Sequence, residues 1–142
     1  MPIITVKNWP SVLNNHNDPL QNFENFRSKL YEDTSLKRAM TSALRLAVVQ
    51  AQVPGIEQVD KVTISFDSGA VEPPAHEGKP DKTLCIIVEG LLKQDDRDRE
   101  CLKRLAESLG DAALEFLLSD WTVEVFVKKF DPEKDVFIAK HK

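Results

Sequence analysis

The side chains that most often perform chemistry, histidine and cysteine, are scarce in this sequence. The three histidines fall in predicted loops or in the C-terminal tail, at spacings that hold no metal ion: His16, His76 and His141. Cys85 and Cys101 form no CxxC pair, so we expect reduced thiols in a cytosolic protein. Cys101 lies near the start of a predicted helix, but acidic neighbours oppose a reactive thiolate there. We therefore interpret both cysteines as structural and predict no metal site.

Composition restricts the class of protein further. The chain has 142 residues and a mass of 16.0 kDa, which fits one domain over residues 1–142. A formal net charge of -4 argues against nucleic acid as the main partner. No apolar run approaches the roughly 20 residues that span a bilayer, and the first residues lack the features of a signal peptide. We expect a cytoplasmic protein with neither nucleic-acid nor membrane partners.

Hydrophobic periodicity predicts a chain of strands and helices that would position any functional residues. Strands are predicted at 2–8, 61–66, 83–89 and 122–127, with a further short strand at 136–138. The first long helix has N-cap candidates at 33–35, and the second follows Asp95 or Asp96. A short helix or ordered insertion is expected within 9–33, and 67–82 reads as a long connection.

The two halves of the chain repeat one pattern of strand, helix and strand. The helix stripes superpose at an offset of 62, as for Met40 and Leu102, and the closing strands superpose at 61, as for Ile64 and Val125. The predicted repeats are 2–66, with an insertion at about 9–33, and 83–127, followed by a tail at 128–142. Two βαβ units sharing one sheet predict an α+β fold, with a four-stranded mixed sheet and both long helices on one face.

A duplicated βαβ unit that begins Met-Pro resembles the tautomerase superfamily, typified by 4-oxalocrotonate tautomerase, whose longer members fuse two units in one chain. The resemblance implies that Met1 is removed and that Pro2 is the catalytic residue. A terminal secondary amine that is buried or set beside cations is a neutral base near pH 7. The alternative is that Pro2 merely suits the first residue of a strand.

The segment 85–106 resembles cis-3-chloroacrylic acid dehalogenase and its homologues, in which two arginines after a strand hold the substrate carboxylate. The nearest matches here are Lys93 and Arg97, at a spacing that differs by about one residue. A lysine supplies a point charge but not the bidentate fork of arginine. The alternative reading is a solvated helix start, in which the cations only balance neighbouring acids.

Other positions of that dehalogenase are matched less well. A histidine of the first helix would fall near Val48, and a tyrosine of the last main strand falls near Val125 or Phe126, so Phe126 is a substrate-binding candidate without a hydroxyl. The acid that activates water would be Asp135, with Glu133 as the next match. These differences weigh against dehalogenation and leave proton shuttling open.

The resemblance thus implies a tautomerase or isomerase that moves a proton on a small 2-oxo or enol carboxylic acid and needs no cofactor. Pro2, Arg97 and Asp135 are the catalytic candidates, and Lys93, Arg97 and Phe126 the substrate-binding ones. The alternatives are a cofactor-independent hydratase or dehalogenase of unsaturated haloacids and a non-catalytic binding or assembly module. The resemblance also implies a homotrimer, and we expect the apolar residues of the strands at 83–89 and 122–127 to cover the open sheet face between subunits.

Overall fold

A computed structural model describes residues 2–9, 23–67, 82–117, 120–136, 138 and 140, with the side chains of the first helix described from residue 31 onward. The elements in chain order are β1 (Ile3–Lys7), α1 (Phe23–Gln50), a short 3-10 helix (Val59–Lys61), β2 (Thr63–Asp67), β3 (Thr83–Leu92), α2 (Arg99–Leu114) and β4 (Thr122–Phe130). The strand order is β2-β1-β3-β4. Strands β1 and β2 are parallel, as are β3 and β4, whereas β1 and β3 are antiparallel. The predicted α+β fold, with its four-stranded mixed sheet and two helices, is confirmed.

One face of the sheet forms the core against the helices. Ile4, Val6 and Ile86 are fully buried there, in one cluster with Met40 and Leu109 from the two helices. Alternation along each strand sends the intervening side chains to the opposite, open face.

The predicted use of the apolar strand residues at a subunit interface is wrong. Leu84, Ile86 and Val88 of β3 are buried in the helix-side core, and Val123, Val125 and Val127 of β4 pack against it. The alternate positions of the sheet form the open face, which is largely polar. Its apolar side chains are Ile3, Ile87, Leu92, Phe126 and Phe130.

Helix α1 is longer than the sequence indicates. It begins at Phe23, so the helix runs through 33–35 and these residues do not cap it. Asp33 is instead 2% exposed, accepts a hydrogen bond from Trp9 Nε1 at 3.1 Å and pairs with Lys37 Nζ at 3.1 Å. Trp9 also meets the Phe66 ring edge to face, with centroids 5.3 Å apart. The tertiary contact with Trp9 and the pair with Lys37, one helical turn away, stabilise a polar residue within the helix. Residues 10–22 of the predicted insertion lie outside the described part.

Helix α2 begins later than predicted. Its N-cap is Asp98, whose carboxylate accepts a hydrogen bond from the Cys101 backbone N–H at 2.9 Å, so neither Asp95 nor Asp96 caps it. The buried positions of the two helices match at an offset of 61, since Leu44 corresponds to Leu105. The offset between the two helices therefore equals the offset of 61 between the closing strands of the two repeats, rather than the predicted 62.

The ends of the second-half strands also differ from the prediction. Strand β3 continues past Gly90 to Leu92, because a register shift against β4 between Val88 and Leu91 absorbs the irregularity at the glycine. Val136 and Ile138 are not in a strand, so the predicted last strand is wrong in its described residues. Residues 68–81 of the long connection, and Phe137, lie outside the described part. No helix among the described residues is long and apolar enough to cross a membrane.

Candidate active site

A cavity of about 170 Å³ lies at the edge of the sheet where β1 and β2 begin and β3 ends. Two of the predicted site residues, Pro2 and Arg97, line it together although 95 positions separate them in the chain. The loop after α1, the 3-10 helix, the end of β3 and the segment before α2 supply the other walls. These are Gly55, Ile56, Lys61, Gly90, Leu91, Leu92 and Gln94.

Pro2 is held at this edge by the pairing of β1. The residue is buried, and its carbonyl oxygen accepts a hydrogen bond from the Thr63 backbone N–H at 3.2 Å. Because Ile3 pairs with Glu89 in the antiparallel ladder, the same register places Pro2 opposite Gly90. The proline therefore sits on a rigid strand, between the start of β2 and the bulged end of β3.

The Arg97 side chain is 94% buried and is tied to two backbone carbonyls. Its Nε and Nη2 donate to Pro54 O at 3.0 and 2.7 Å, and its Nη1 donates to Leu92 O at 3.0 Å. Three of the five guanidinium N–H groups are thus used by the fold, and at most two remain for a ligand. Arg97 consequently holds two walls of the cavity together and lines the cavity as well.

Gly55 explains how the guanidinium reaches the Pro54 carbonyl. Its φ of +84° lies in the left-handed region, and a Cβ at this position would come within 2.9 Å of Arg97 Nη2. A glycine is therefore required both by the backbone conformation and by the close approach of Arg97.

Lys61 is a cation of this cavity that the sequence did not single out. It ends the short 3-10 helix and is exposed, and together with Arg97 it gives the described cavity wall two positive charges and no carboxylate. The signal available in the sequence was only a lysine at the first position of a predicted strand. Lys61 is distant along the chain from both Pro2 and Arg97, so the sequence did not indicate that the three residues line one cavity.

Lys93 and Phe126 lie outside this cavity. Lys93 is exposed and pairs with Asp131 at 3.6 Å. Phe126 lies on the open face of the sheet, where its side chain is 55% exposed. Val48, which is near the position of the histidine in the dehalogenase that this chain resembles, is a core residue at 2% exposure.

Asp135 lies in a turn after β4. Its carboxylate accepts a hydrogen bond from the Asp131 backbone N–H at 2.9 Å, and its own N–H donates to Asp131 O at 2.7 Å. Asp135 also lines a second cavity of about 370 Å³, which shares Gly90 with the Pro2 cavity. The other walls of this second cavity are Glu89, Lys128, Lys129, Phe130, Lys134 and Val136.

The remaining reactive side chains do not join either cavity. Cys85 lies on the open sheet face; burial raises the pKa of its thiol, Glu124 raises it further, and Lys7 opposes both. Cys101 is 1% exposed. The three histidines fall outside the described part of the chain, and within that part no group of His, Cys, Asp or Glu is arranged to hold a metal ion.

Solved structures share this architecture. A fused 4-oxalocrotonate tautomerase described as a wild-type asymmetric trimer is 14% identical, with a TM-score of 0.57 over 95% of this chain and 91% of its own. A protein designated Pt0534, inactivated by 2-oxo-3-pentynoate, is 14% identical, with a TM-score of 0.54 over 96% of this chain and 90% of its own. A 5-carboxymethyl-2-hydroxymuconate delta-isomerase is 12% identical, with a TM-score of 0.58 over 100% of this chain and 89% of its own.

In contrast, no family model matches the chain, and no curated protein matches it significantly in sequence. At these identities the shared feature is the fold, and it extends over nearly the whole length of each chain. The chain therefore has the fold of the fused 4-oxalocrotonate tautomerases, as its resemblance to the tautomerase superfamily implies.

Proposed function

We propose that this protein is a cytosolic tautomerase or isomerase that uses Pro2, freed by removal of Met1, as a base on a small 2-oxo or enol carboxylic acid. The observation that carries the proposal is that Pro2 shares a cavity with two cations, Lys61 and Arg97, and with no described carboxylate. The tautomerase and isomerase activities of the fold's solved relatives support it, and the free thiols Cys85 and Cys101 are typical of the cytosol.

The cavity favours the basic form of the amine. After removal of Met1, the two nearby cations disfavour a charged ammonium at Pro2. A neutral secondary amine on a strand is a base with no side-chain rotation to restrict, so its lone pair is positioned before substrate arrives.

The same cations suit an acidic substrate. Arg97 and Lys61 would bind the carboxylate and stabilise the negative charge that develops on the 2-oxo oxygen. In the reaction, the C3–H bond breaks, its proton moves to the Pro2 nitrogen, and its electron pair forms the enolate. Return of the proton to oxygen gives the enol, and return to carbon gives the ketone, so no electron acceptor or cofactor is needed.

The size of the cavity limits the reactive end of the substrate. A cavity of about 150 Å³ is known to hold benzene. The cavity beside Pro2, at about 170 Å³, therefore fits the first six to eight non-hydrogen atoms of an acid, which include the carboxylate, the 2-oxo group and C3.

Exchange of C3–H for deuterium tests the proposal directly. Incubation of 2-oxobutanoate with the full chain in D₂O should deplete the C3 proton signal in ¹H NMR, because the base returns solvent deuterium to carbon. Pro2→Ala keeps a primary amine and should slow exchange by about 10- to 100-fold, part of the usual 10²- to 10⁴-fold contribution of a positioned base. Lys61→Gln should raise KM more than it lowers kcat.

Intact mass spectrometry of the same sample supplies the decisive control. Loss of Met1 is required, since only then does Pro2 carry a free amine. 2-Oxo-3-pentynoate is an electrophilic alkyne, so we expect it to add to that amine as a single adduct on the Pro2 peptide. Retention of Met1, or exchange unaffected by Pro2→Ala, would refute the proposal and favour the binding-module alternative.

The assembly that accompanies this activity is proposed to be a homotrimer. One solved relative is a trimer, and the open sheet face of this chain carries the exposed apolar residues Ile3 and Phe126. Size-exclusion chromatography with light scattering should give about three times 16.0 kDa. A monomer at micromolar concentration would contradict this assembly.

A further inference from the structure

One glycine lines both the Pro2 cavity and a second cavity. Of the described residues, Gly90 lines both the Pro2 cavity of about 170 Å³ and the neighbouring cavity of about 370 Å³. Gly90 has no side chain, so only its backbone contributes to the wall that the two cavities share.

The local backbone explains why the junction is open. Gly90 has a φ of +80° and lies inside the register shift between Val88 and Leu91, opposite Pro2 in the ladder. A positive φ disfavours any residue with a Cβ, so the bulge itself requires glycine at this position. The fold thereby keeps the space next to the proposed base free of a side chain.

The second cavity has a wall chemistry of its own. Among its charged residues, Asp135 is bonded to the Asp131 backbone, and Lys129 Nζ lies 3.4 Å from Arg97 O. Lys128 and Lys134 are exposed donors on its wall, and Glu89 is an exposed carboxylate beside Gly90. Lysine side chains are donors only, so they match oxygen acceptors carried by a ligand.

We infer that Gly90 is a specificity-determining residue, over which the tail of an elongated 2-oxo acid passes from the Pro2 cavity into the cavity lined by Lys128 and Lys134. This inference rests on the proposed function and names its substrate class. The preferred acids have more non-hydrogen atoms than the six to eight that the Pro2 cavity holds, and they carry oxygen acceptors along the tail.

A length series measures this directly through C3–H exchange in D₂O. The probes are 2-oxobutanoate, 2-oxooctanoate and 7-hydroxy-2-oxoheptanoate, of which the last two have equal numbers of non-hydrogen atoms. The chain should exchange the two long acids with kcat/KM at least about tenfold above the short one, because added methylene groups gain buried area. The hydroxylated acid should be the better of the two.

Gly90→Ala tests the junction. The added methyl group should reduce the ratio of long-acid to short-acid kcat/KM by at least about fivefold. Gly110→Ala is the matched control, because Gly110 lies in α2, lines neither cavity, and a Cβ there meets Val125 Cγ2 at an ordinary 3.6 Å. Lys134→Ala provides a second test that does not disturb the bulge, and it should lower the advantage of the hydroxylated acid over 2-oxooctanoate.

The outcomes separate this inference from the proposed function. One outcome overturns the role of Gly90 alone. In it the short acid is exchanged, the long acids have no higher kcat/KM, Gly90→Ala leaves the ratio of long-acid to short-acid kcat/KM unchanged, and Lys134→Ala leaves the ratio of hydroxylated acid to 2-oxooctanoate unchanged. Absence of exchange with every acid overturns the proposed function and this inference with it. If Gly90→Ala fails to fold by circular dichroism, Lys134→Ala decides. An unchanged ratio of kcat/KM for the hydroxylated acid to kcat/KM for 2-oxooctanoate in that variant refutes the inference.

Discussion

Replacing Arg97 by alanine should destabilise the whole fold and not only weaken substrate binding. The guanidinium is 6% exposed and joins Pro54 in the loop after α1 to Leu92 at the end of β3. Truncation removes three hydrogen bonds from a charged donor and leaves both carbonyls without this partner. Both segments that Arg97 joins also line the cavity, through Gly55 and Leu92, so the shape of the cavity depends on Arg97.

The expected loss in free energy of unfolding follows from the two carbonyl oxygens, Pro54 O and Leu92 O, that lose the hydrogen bonds from Arg97. A buried polar group that loses its partner costs about 1–3 kcal/mol, and because these two carbonyls are only partly buried, together they give roughly 2–4 kcal/mol before relaxation. Water entering the adjacent cavity offsets part of this cost. We expect about 3 kcal/mol, which lowers Tm by about 10 °C in a domain of this size.

Urea denaturation followed by circular dichroism measures the change. Lys93→Ala is the matched control, because Lys93 is an exposed cation whose ion pair with Asp131 is expected to contribute about 0–1 kcal/mol. Arg97→Lys keeps the charge but not the planar fork, so it should lose at least half as much stability as Arg97→Ala. A loss below about 1 kcal/mol in Arg97→Ala would refute the bridging role.

Three further perturbations test other parts of the structure. Gly55→Ala should cost about 1–3 kcal/mol in free energy of unfolding, because it forces a Cβ into a positive φ and against Arg97; a Tm equal to wild type would contradict this. Asp33→Ala should cost about 2–4 kcal/mol by urea denaturation, since it removes a buried acceptor and ion-pair partner, whereas a loss below about 0.5 kcal/mol would mean that the contacts of Asp33 are dispensable. Alkylation of Cys85 by iodoacetamide should require higher pH than alkylation of a fully exposed cysteine, because burial and then Glu124 raise the pKa of the Cys85 thiol. Glu124→Gln should shift the pH profile of the alkylation rate to lower pH, and an unmoved profile would exclude that carboxylate as a cause of the raised pKa.

The fold was predictable because its strands and helices have strong periodic signals. The period-two pattern in β2 and β4 and the apolar run in β3 indicate strands, and their repetition indicates paired βαβ units. Errors concentrated at element ends. Asp33 has the chemistry of an N-cap, yet it lies inside α1, where it accepts a hydrogen bond from Trp9, 24 positions away in the chain. A cap is a local feature, and long-range contacts outweigh it.

The candidate site was only partly predictable, for a different reason. The resemblance singled out Pro2 and Arg97, but nothing local indicates that Arg97 is bound to the carbonyls of Pro54 and Leu92 or that Lys61 shares its cavity. Lys93 and Arg97 look equivalent in the sequence, yet one is exposed and the other buried. Burial and partnership depend on which segments the fold brings together.

By itself, the sequence determined the order of strands and helices, the duplication and the presence of a proline at the start of β1. These features depend on residue type and spacing within short stretches of chain, where periodic burial leaves a direct record. Only the tertiary structure decided that Pro2, Lys61 and Arg97 line one cavity and that Gly90 lines both this cavity and a second one. The physical reason is that a cavity forms between segments distant in the chain, so its charge and shape arise from strand register and loop closure.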